Sequence, residues 1–536
     1  MARQYLGYTA TPANANLDAL WQRGVNVNAN DYGAKGDGVT DDTAAIQAAL
    51  NAGAGSGLVV VIPPTAAFYK VTAQLNISSH TTIYGYGATL KNTTTTPFIM
   101  LLAEGASGAL KTDVSVFGLT VDCNGTVLNV LGSGIGAHYC NNFRVQDCTV
   151  KNSWLQGIFL GVAGENCWIQ NNLVTRAWGD GIHIGDQYSG ESLQYIYVTN
   201  NVVLDCWDDG IGVTGSAHNV WVCDNVVDRV TQAAGIDLSG CYNVVCARNY
   251  VANYGQIGIR LVRFNASIVY NVHVLDNIIG PPPANQAAIN LYGPNNTTDA
   301  TKKTVPIVVR GNTITGVTAA NTYAVFVTGA GAVTIEDNHF EGTTNGVTLS
   351  GLTATALVGP VEDCRISNNR FRGFATAIAL SSGNNDFRTS GNTFIGCTNL
   401  IPTPSGAYVQ QAALWEADAK RETAMFRAVT FTRTALPQAE VDTSARVSVF
   451  ANQRVQLFYL AEDVSGPGLG STTVELYDVT GAAVLATATI TGNTSPYAWR
   501  SLSQVLIPTD TTVTVRYGRD FAGGSVSIKA AVLRVG

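Results

Sequence analysis

Charged side chains are scarce in this chain of 536 residues, and they are not gathered into blocks. Asp, Glu, Lys and Arg together make up 13% of the sequence, and 31 basic against 38 acidic residues leave a formal net charge of −7. Nucleic acids and anionic membranes bind clustered Lys and Arg. The composition therefore argues against both as partners.

Long apolar runs are also missing. No stretch approaches the roughly 18 apolar residues that predict a membrane-spanning helix, and residues 1–6 lack the apolar core of a signal peptide. We therefore expect a protein without a signal peptide in this sequence that acts outside the cell or on a virion, such as a phage tail. It would leave its cell by another route, or a signal has been removed.

The ten cysteines show neither the close pairing of a disulfide framework nor the spacing of a zinc site. Several fall inside the repeats described below, for example Cys148, Cys206 and Cys246. A cysteine in such a position behaves as a small buried hydrophobic residue. Buried free thiols are the prediction, and one or two disulfides are the alternative.

The chain does contain a repeat, in which a Gly is followed by Ile and by alternating apolar residues. It begins at Gly157, Gly181, Gly210, Gly235 and Gly258, with steps of 24, 29, 25 and 23 residues. An Asn precedes four of these glycines by nine or ten residues, and the series runs Asn172, Asn201, Asn225, Asn249, Asn277, Asn312, Asn338, Asn369 and Asn392. Short β-branched runs at a fixed period predict a β-solenoid.

Alternation along each short strand predicts which side chains face outward. In the run that begins at Gly181, Ile182 and Ile184 face the core and His183 faces out, because successive strand side chains point to opposite faces. Coils stack at about 4.8 Å, so equivalent outward residues form a column. Its predicted members are Phe159, His183, Gly212, Asp237, Arg260, Asn290 and Phe326. The Asn series is predicted to be a stack of amides that bond to one another and to the turn backbone.

Composition changes along the chain divide it into four regions. Residues 1–25 are a polar tether, 26–404 form the parallel β-helix, 405–436 form a helical connector and 437–536 form an antiparallel β-sandwich for sugar binding or oligomerisation. A helix over 41–52, with an apolar face and Thr40 or Asp41 as its cap, is predicted to cover the open end of the solenoid. The fold class is therefore all-β.

The N-terminal part of this pattern resembles a known superfamily. Residues 31–50, with the sequence Asp-Tyr-Gly-Ala-Lys-Gly-Asp-Gly-Val-Thr-Asp-Asp, and the apolar strand at 57–63 resemble the first segment of pectate-lyase-like right-handed parallel β-helices. That superfamily includes polygalacturonases, polysaccharide lyases, alginate epimerases and phage tailspike depolymerases. The resemblance covers about residues 27–400 and is specific for the fold rather than for the reaction.

Two adjacent repeats carry acids directly before the repeated glycine. Asp180 precedes one glycine, and Asp208 and Asp209 precede the next, which places their backbones about 5 Å apart. Crowded carboxylates repel, so at least one pKa is raised while another group stays ionised. That is the condition for a general acid beside a general base. The alternative is that each Asp only forms a turn.

These coils are similar to polygalacturonase-type glycoside hydrolases. Asp180 matches the Asp of their Asn-Thr-Asp-Gly motif, Asp208 and Asp209 match their Asp-Asp pair, and Arg260 matches the Arg of Arg-Ile-Lys. The resemblance implies catalysis by the three aspartates. The family's Gly-His-Gly is Ala-Ala-Gly here and its Lys is Val262, which puts a uronic-acid substrate in doubt.

Further outward residues are predicted to bind substrate. His183 and Asp237 are candidates to replace the absent family His, and Arg260 is predicted to orient or stabilise the sugar, with a plain Arg260–Asp237 ion pair as the alternative. Trp178 and Trp207 share a repeat position with Trp154, two residues before the acids. Such rings suit the apolar faces of sugars, and a buried aromatic stack is the alternative.

Three hypotheses of function follow. The first is an endo-acting, inverting-type glycoside hydrolase that degrades a polysaccharide with paired aspartates as acid and base, without a metal or other cofactor. The second is a Ca²⁺-dependent polysaccharide lyase with Arg260 as its base. The third is a phage tailspike or receptor-binding depolymerase, which predicts a homotrimer.

Overall fold

The computed structural model describes residues 32–399, except for 57, 130, 186–191, 216, 264–268, 294–305, 351–360, 362 and 381–386. It also gives the backbone of the strand Val25–Asn26 and of strands between 409 and 535. The predicted tether at 1–25 lies outside the described residues except for Val25. Among the described residues, no helix is long and apolar enough to cross a membrane.

Helix α1 (Thr43–Gly53) covers the N-terminal end of the solenoid, as predicted. Its apolar face buries Ile46, Ala49 and Leu50 against the first coil. It begins two residues later than expected, and the Asp41 carboxylate accepts a hydrogen bond from the Thr43 N–H at 3.1 Å.

The solenoid is built from three parallel sheets, which we name A, B and C, with each coil contributing one strand to each sheet. Within the described residues, sheet B has 13 strands and sheet C has 12. Sheet A contains Val25–Asn26, Val59–Val61, Thr81–Tyr84, Val114–Phe117, Arg144–Gln146, Gly164–Gln170, Leu193–Thr199, His218–Cys223, Tyr242–Ala247, Tyr270–Leu275, Ile307–Arg310, Val333–Glu336, Cys364–Ser367, Phe387–Ser390 and Val409–Trp415. Sheet B contains Tyr69–Val71, Thr89–Asn92, Thr120–Asp122, Thr149–Lys151, Leu173–Thr175, Val202–Leu204, Val226–Asp228, Tyr250–Ala252, Ile278–Ile279, Thr313–Val317, His339–Gly342, Arg370–Arg372 and Thr393–Ile395.

Sheet C carries the repeated Gly-Ile pattern. Its strands are Leu75–Asn76, Leu101–Glu104, Ile135–His138, Ile158–Gly161, Ile182–Ile184, Ile211–Thr214, Ile236–Ser239, Ile259–Val262, Ala287–Tyr292, Tyr323–Thr328, Asn345–Ser350 and Thr376–Leu380. Two further short strands, Lys111–Thr112 and Cys140–Asn141, pair with each other. In-register pairing in sheet C aligns all seven predicted outward residues in one column, from Phe159 to Phe326. The β-helix and its outward column are thus confirmed.

The core is a column of β-branched and leucine side chains. Ile158, Ile182, Ile211, Ile236 and Ile259 are paired in register in sheet C, and each is fully buried. Each coil can bury its apolar face only against its neighbours and across the solenoid interior. The stacked coils therefore form one continuous core.

The Asn series forms a hydrogen-bonded ladder in the turn between sheets A and B. The Asn201 Oδ1 accepts from both the backbone N–H and the Nδ2 of Asn172, each at 3.0 Å, and the Asn201 Nδ2 donates to the Ile169 carbonyl at 2.8 Å. The same bonds recur from coil to coil as far as Asn392. The predicted structural amide stack is confirmed.

All ten cysteines are free thiols, and nine of them are buried. Burial raises the pKa of Cys148 and of Cys206 to about 12. These groups therefore remain neutral hydrophobic side chains, as predicted.

The helical connector predicted over 405–436 is wrong where the structure describes the chain. Val409–Trp415 extends sheet A by pairing in parallel with Phe387–Ser390, and it pairs antiparallel with Glu422–Met425. Ladder bonding to both neighbours outweighs the helix propensity of the Ala-Ala-Leu run. The next strand is Val429–Thr432.

The predicted C-terminal domain contains antiparallel strands in two groups. Their bounds are Glu440–Val441, Val447–Val449, Arg454–Val464, Ser471–Asp478, Ala483–Thr491, Ala498–Ser501, Val505–Leu506, Thr511–Arg519 and Ser525–Val535. Arg454–Val464 pairs with Ser525–Val535, and Ser471–Asp478 pairs with Ala483–Thr491 and with Thr511–Arg519. Packing of these two groups face to face as a sandwich depends on side chains that lie outside the described residues, so the sandwich stays a prediction.

Candidate active site

The predicted site residues converge on the outer face of sheet C, over the coils whose strands begin at Ile182, Ile211, Ile236 and Ile259. Asp180 lies in the turn that enters the strand at Ile182, and Asp208 and Asp209 lie in the turn that enters the strand at Ile211. The turns stack closely: the Gly181 N–H donates to the Asp209 carbonyl at 3.0 Å, and a Cβ at Gly181 would lie 2.7 Å from the Gly210 carbonyl oxygen. Glycine at this position therefore allows the acid-bearing turns to approach one another.

The three aspartates meet as the repeat spacing predicts. One carboxylate oxygen from each of Asp180, Asp208 and Asp209 lies within 4.8 Å of the others. Asp180 and Asp209 are almost fully buried, whereas Asp208 is exposed. One cluster thus presents carboxyl groups in two different environments.

Asp180 organises the neighbouring coil and its own strand. Its Oδ1 accepts the backbone N–H of Asp209 at 3.1 Å, and its Oδ2 lies 2.6 Å from the Nδ1 of His183. Burial alone would lower the pKa of His183, but the hydrogen bond and charge of Asp180 raise it above the usual value. Gly212 stands beside this pair, where a Cβ would lie 3.2 Å from the Asp180 Oδ2. A side chain at position 212 would therefore crowd the Asp180–His183 pair.

Asp209 is held from two sides. Its Oδ1 accepts the Ala234 N–H at 2.7 Å, and its Oδ2 accepts from an Nη of Arg260 at 3.3 Å. Burial, followed by the charges of Asp237 and Asp180, raises the pKa of Asp209 to about 9 despite the guanidinium. These surroundings therefore favour the protonated form of Asp209 more than those of an ordinary Asp do.

Asp237 and Arg260 form an ion pair across adjacent strands. The Arg260 Nε donates to the Asp237 Oδ1 at 2.6 Å, and the Ser239 hydroxyl donates to the Asp237 Oδ2 at 2.5 Å. Burial lowers the pKa of Arg260, but the bond to Asp237 and the nearby carboxylates raise it overall. The Arg260–Asp237 ion pair, which was the alternative interpretation of the sequence, is therefore present. Arg260 also contacts the acid cluster. Ser239 was missed, although its position two residues after Asp237 on one strand face was a usable signal.

Asp208 differs from the other two aspartates. The residue as a whole is exposed, although its carboxyl is partly enclosed by the neighbouring acids, and no hydrogen bond joins that carboxyl to a described residue. Partial burial, followed by the charge of Asp180, raises its pKa above the usual range. It is thus the carboxyl that can both hold a proton and reach a ligand.

The three tryptophans at one repeat position have different surroundings. Trp154 is buried and its Nε1 donates to the Cys123 carbonyl at 3.0 Å. Trp178 is half-buried, and its ring centroid lies 5.5 Å from that of Trp207, which is 40% exposed beside Asp208. The structure therefore leaves Trp207, with Trp178 behind it, as the accessible aromatic surface.

Comparison with known proteins agrees with the fold. Residues 26–243 match the protein-family model "Rhamnogalacturonase A/epimerase, pectate lyase-like". The match lies within the β-helix and covers less than half of the chain. The chain is also 29% identical over 197 residues to the preneck appendage proteins of Bacillus phages PZA and phi29, a match that covers 31% of this chain. The match spans 22% of the length of each phage protein.

Among solved structures, the mannuronan C-5 epimerase A-module of Azotobacter vinelandii superimposes on this chain with a TM-score of 0.51 and 17% identity. The superposition covers 74% of this chain and 100% of the epimerase module. At this identity the likeness concerns the fold alone.

Proposed function

We propose that this chain is an endo-acting glycoside hydrolase that degrades a polysaccharide bound along the outer face of sheet C. The observation that carries the proposal is the set of three aspartates from adjacent coils, with oxygens within 4.8 Å of one another and unequal exposure. Glycoside hydrolysis requires one protonated and one ionised carboxyl group beside one glycosidic bond. The separation of these oxygens is nearer the roughly 5 Å of retaining enzymes than the roughly 6.5–9.5 Å of inverting ones, so direct attack by water is tested by the anomer of the first product.

Asp208 is assigned as the general acid. It is exposed, its carboxyl has no hydrogen-bond partner among the described residues, and its pKa is raised. It would give its proton to the glycosidic oxygen as the bond from that oxygen to the anomeric carbon breaks. A raised pKa keeps this proton in place at a higher pH than an ordinary Asp allows.

Asp180 is assigned as the base. A water molecule would lose a proton to the Asp180 carboxylate while its oxygen bonds to the anomeric carbon, so that one water is consumed for each bond cleaved. His183, whose Nδ1 lies 2.6 Å from the Asp180 Oδ2, supports this assignment. Asp209, Asp237 and Arg260 would hold the turns and strands in register beneath the sugar.

A Ca²⁺-dependent lyase is the alternative use of the same acids. Carboxylate oxygens are suitable calcium ligands, and their spacing fits a shared ion with ligand distances of about 2.3–2.6 Å. However, both oxygens of Asp180 and both of Asp209 already accept hydrogen bonds, or face His183, within the protein. Each carboxylate oxygen has two lone pairs, so these contacts leave a position for either a water molecule or an ion, and the effect of chelator distinguishes the hydrolase from the lyase.

A second candidate function is that of a phage tailspike or receptor-binding depolymerase. The similarity to phage preneck appendage proteins supports it. It would place the protein on a virion, with a surface polysaccharide as its partner and a homotrimer as its assembly. A solution mass near three times 56.4 kDa would support this assembly.

The deciding experiment is digestion of a polysaccharide panel, read both for new reducing ends and for ultraviolet absorbance of unsaturated sugars, with and without chelator. Hydrolysis predicts new ends without absorbance and no effect of chelator. Absorbance that disappears with chelator would reject the hydrolase and support the lyase. Proton NMR of the first product would report inversion or retention at the anomeric carbon.

A further inference from the structure

Buried oxygen atoms without a hydrogen-bond partner are concentrated on the outer face of sheet C. In the described part of the chain, six side chains carry such an atom, and four of them stand at outward positions of sheet C: Thr214, Asn290, Thr328 and Thr348. Buried polar groups in folded proteins nearly always have a partner. Sheet C therefore carries hydrogen-bonding groups that the described residues do not satisfy.

Asn290 lies in the same outward column as the acid-site residues, directly after Arg260 and before Phe326. Its Oδ1 is buried and accepts no hydrogen bond from a described residue. Three coil-to-coil steps separate its strand from the strand at Ile211, which the acid cluster precedes, and three steps correspond to about 14 Å along the solenoid axis. Asn290 thus shares the face of the proposed site but lies beyond the reacting groups.

The neighbours of Asn290 in the column explain why its amide oxygen is unpaired. Arg260 donates to Asp237 at 2.6 Å and to Asp209 at 3.3 Å, which lie in earlier coils, so these contacts draw its guanidinium towards the acids. Phe326, in the next coil, has no polar side-chain atom to offer. In the Asn ladder, by contrast, each amide donates to the amide oxygen of the next coil. Asn290 therefore has no counterpart for a structural role of that kind.

The chemistry of this position matches a sugar ring. A hydroxyl group can donate to an amide oxygen, and the apolar face of a sugar packs against an aromatic ring. Asn290 and Phe326 are both partly exposed, and the Phe326 ring contacts that of Tyr323, with centroids 4.9 Å apart. The last torsion of an Asn side chain is broad, so rotation of the Asn290 amide carries its oxygen to the surface.

We propose that Asn290 and Phe326 form a second sugar-binding subsite, about 14 Å along the column from the acid cluster, for another sugar of the chain that is cleaved. Asn290 accepts a hydrogen bond from a sugar hydroxyl, and Phe326 contacts the apolar face of the same ring. Cleavage is then more efficient for a chain long enough to reach this subsite. The inference rests on the proposed function, because the subsite is placed relative to the bond that the aspartates cleave.

The test compares oligosaccharides of graded length, prepared from the polymer that the panel identifies as substrate. Asn290→Ala should raise KM for the longer oligosaccharides by about threefold to tenfold, the effect of one lost hydrogen bond, and leave kcat unchanged. Oligosaccharides too short to reach Asn290 should be cleaved equally by the variant and the unaltered protein. Equal losses at every length would show that Asn290 is structural, and no loss at any length would show that only water meets its amide. Either result overturns the inference.

Two further variants complete the design. Phe326→Leu keeps an apolar side chain and removes the flat ring, so it should show the same dependence on length, and it carries the test if Asn290→Ala does not fold. Asn51→Ala removes an exposed amide from α1, at the N-terminal end of the solenoid, and should leave cleavage unchanged at every length. A loss in this control equal to that in Asn290→Ala would overturn the inference.

Binding without turnover separates this inference from the proposed function. A panel in which nothing is cleaved would reject the hydrolase. Affinity electrophoresis in gels that contain the same polymers then tests the subsite alone. Weaker retardation of Asn290→Ala than of the unaltered protein would support the subsite, whereas equal retardation, or none in either protein, would overturn it.

Discussion

The Asn ladder and the acid cluster are both columns of polar residues made by the same repeat, and they satisfy their hydrogen bonds in opposite ways. In the ladder, each amide donates one N–H to the amide oxygen of the next coil and the other to a backbone carbonyl of the preceding coil, so every donor faces an acceptor. At the entrance to sheet C, carboxyl meets carboxyl, and an acceptor faces an acceptor unless a proton or a cation intervenes. A repeat position that carries the same residue in every coil is typical of a structural role. A repeat position that carries like-charged residues in only two coils is typical of a functional site.

The strongest test of this contrast is loss of activity without loss of fold. Asp180→Asn and Asp208→Asn should each lower kcat by about 10²–10⁴-fold, because general acid and base catalysis contributes about that factor. Thermal unfolding should change little. A substrate with a nitrophenyl leaving group should restore activity to the Asp208 variant and not to the Asp180 variant, since such a group leaves without protonation. Full activity in both variants would make the acids turn formers only.

The ladder should show the reverse behaviour. Asn225→Ala would remove the acceptor of the Asn201 N–H and Nδ2 and leave the Val198 carbonyl without its donor. We expect the free energy of unfolding to fall by about 2–4 kcal/mol, because buried polar groups lose their hydrogen-bond partners. Under conditions below the unfolding transition, kcat should be unchanged. Denaturant unfolding measures this effect. Asn51→Ala, at an exposed position of α1, is the control. Equal losses of unfolding free energy in the two variants would contradict a special role for the ladder.

The pH dependence of stability sharpens the comparison at Asp209. Its folded-state pKa of about 9 lies above that of an unfolded Asp, so the folded protein binds the extra proton between about pH 4 and pH 9. Stability should therefore decrease as pH rises through this window, by up to about 1.4 kcal/mol per unit. Asp209→Asn keeps an acceptor for Ala234 and should flatten the decrease. An unchanged slope in pH-dependent denaturation would show that this carboxyl is ionised.

The smallest expected effect concerns Trp207. Removal of an exposed ring should weaken sugar binding without altering the reacting groups, so Trp207→Ala should raise KM by about threefold to tenfold with kcat nearly constant. Tyr250→Ala is the matched control, because Tyr250 is 46% exposed on sheet B. A large fall in kcat for the Trp207 variant would instead assign it to positioning of the acids.

The features that could be predicted from the sequence are those that follow from the period of the repeat. Alternation in strands such as Ile182–Ile184, together with steps of 23 to 29 residues, predicts the coils, the outward column and the meeting of Asp180 with Asp209. Identical Asn residues at one position predict their own pairing, because an amide both donates and accepts.

Features that depend on distant packing were not predictable in this way. Trp154 and Trp207 share a repeat position, but the turn before Ile135–His138 packs over Trp154, where a Cβ at Gly132 would lie 2.7 Å from the Trp154 Cβ. Val409–Trp415 has a helix-like composition and becomes a strand because Phe387–Ser390 offers an open sheet edge. The raised pKa of Asp209 likewise depends on Asp237, one coil further on.

The ladder and the sheets also determine how the molecule responds to force. Bonds between coils run along the solenoid axis, so a pull on its ends loads the coils in series and each junction carries the whole tension. Sheet B narrows to two paired residues on each side of Ile278–Ile279. Sheets A and C hold the same two junctions with four or five paired residues each, so under tension sheet B should open at this coil before the other two sheets do.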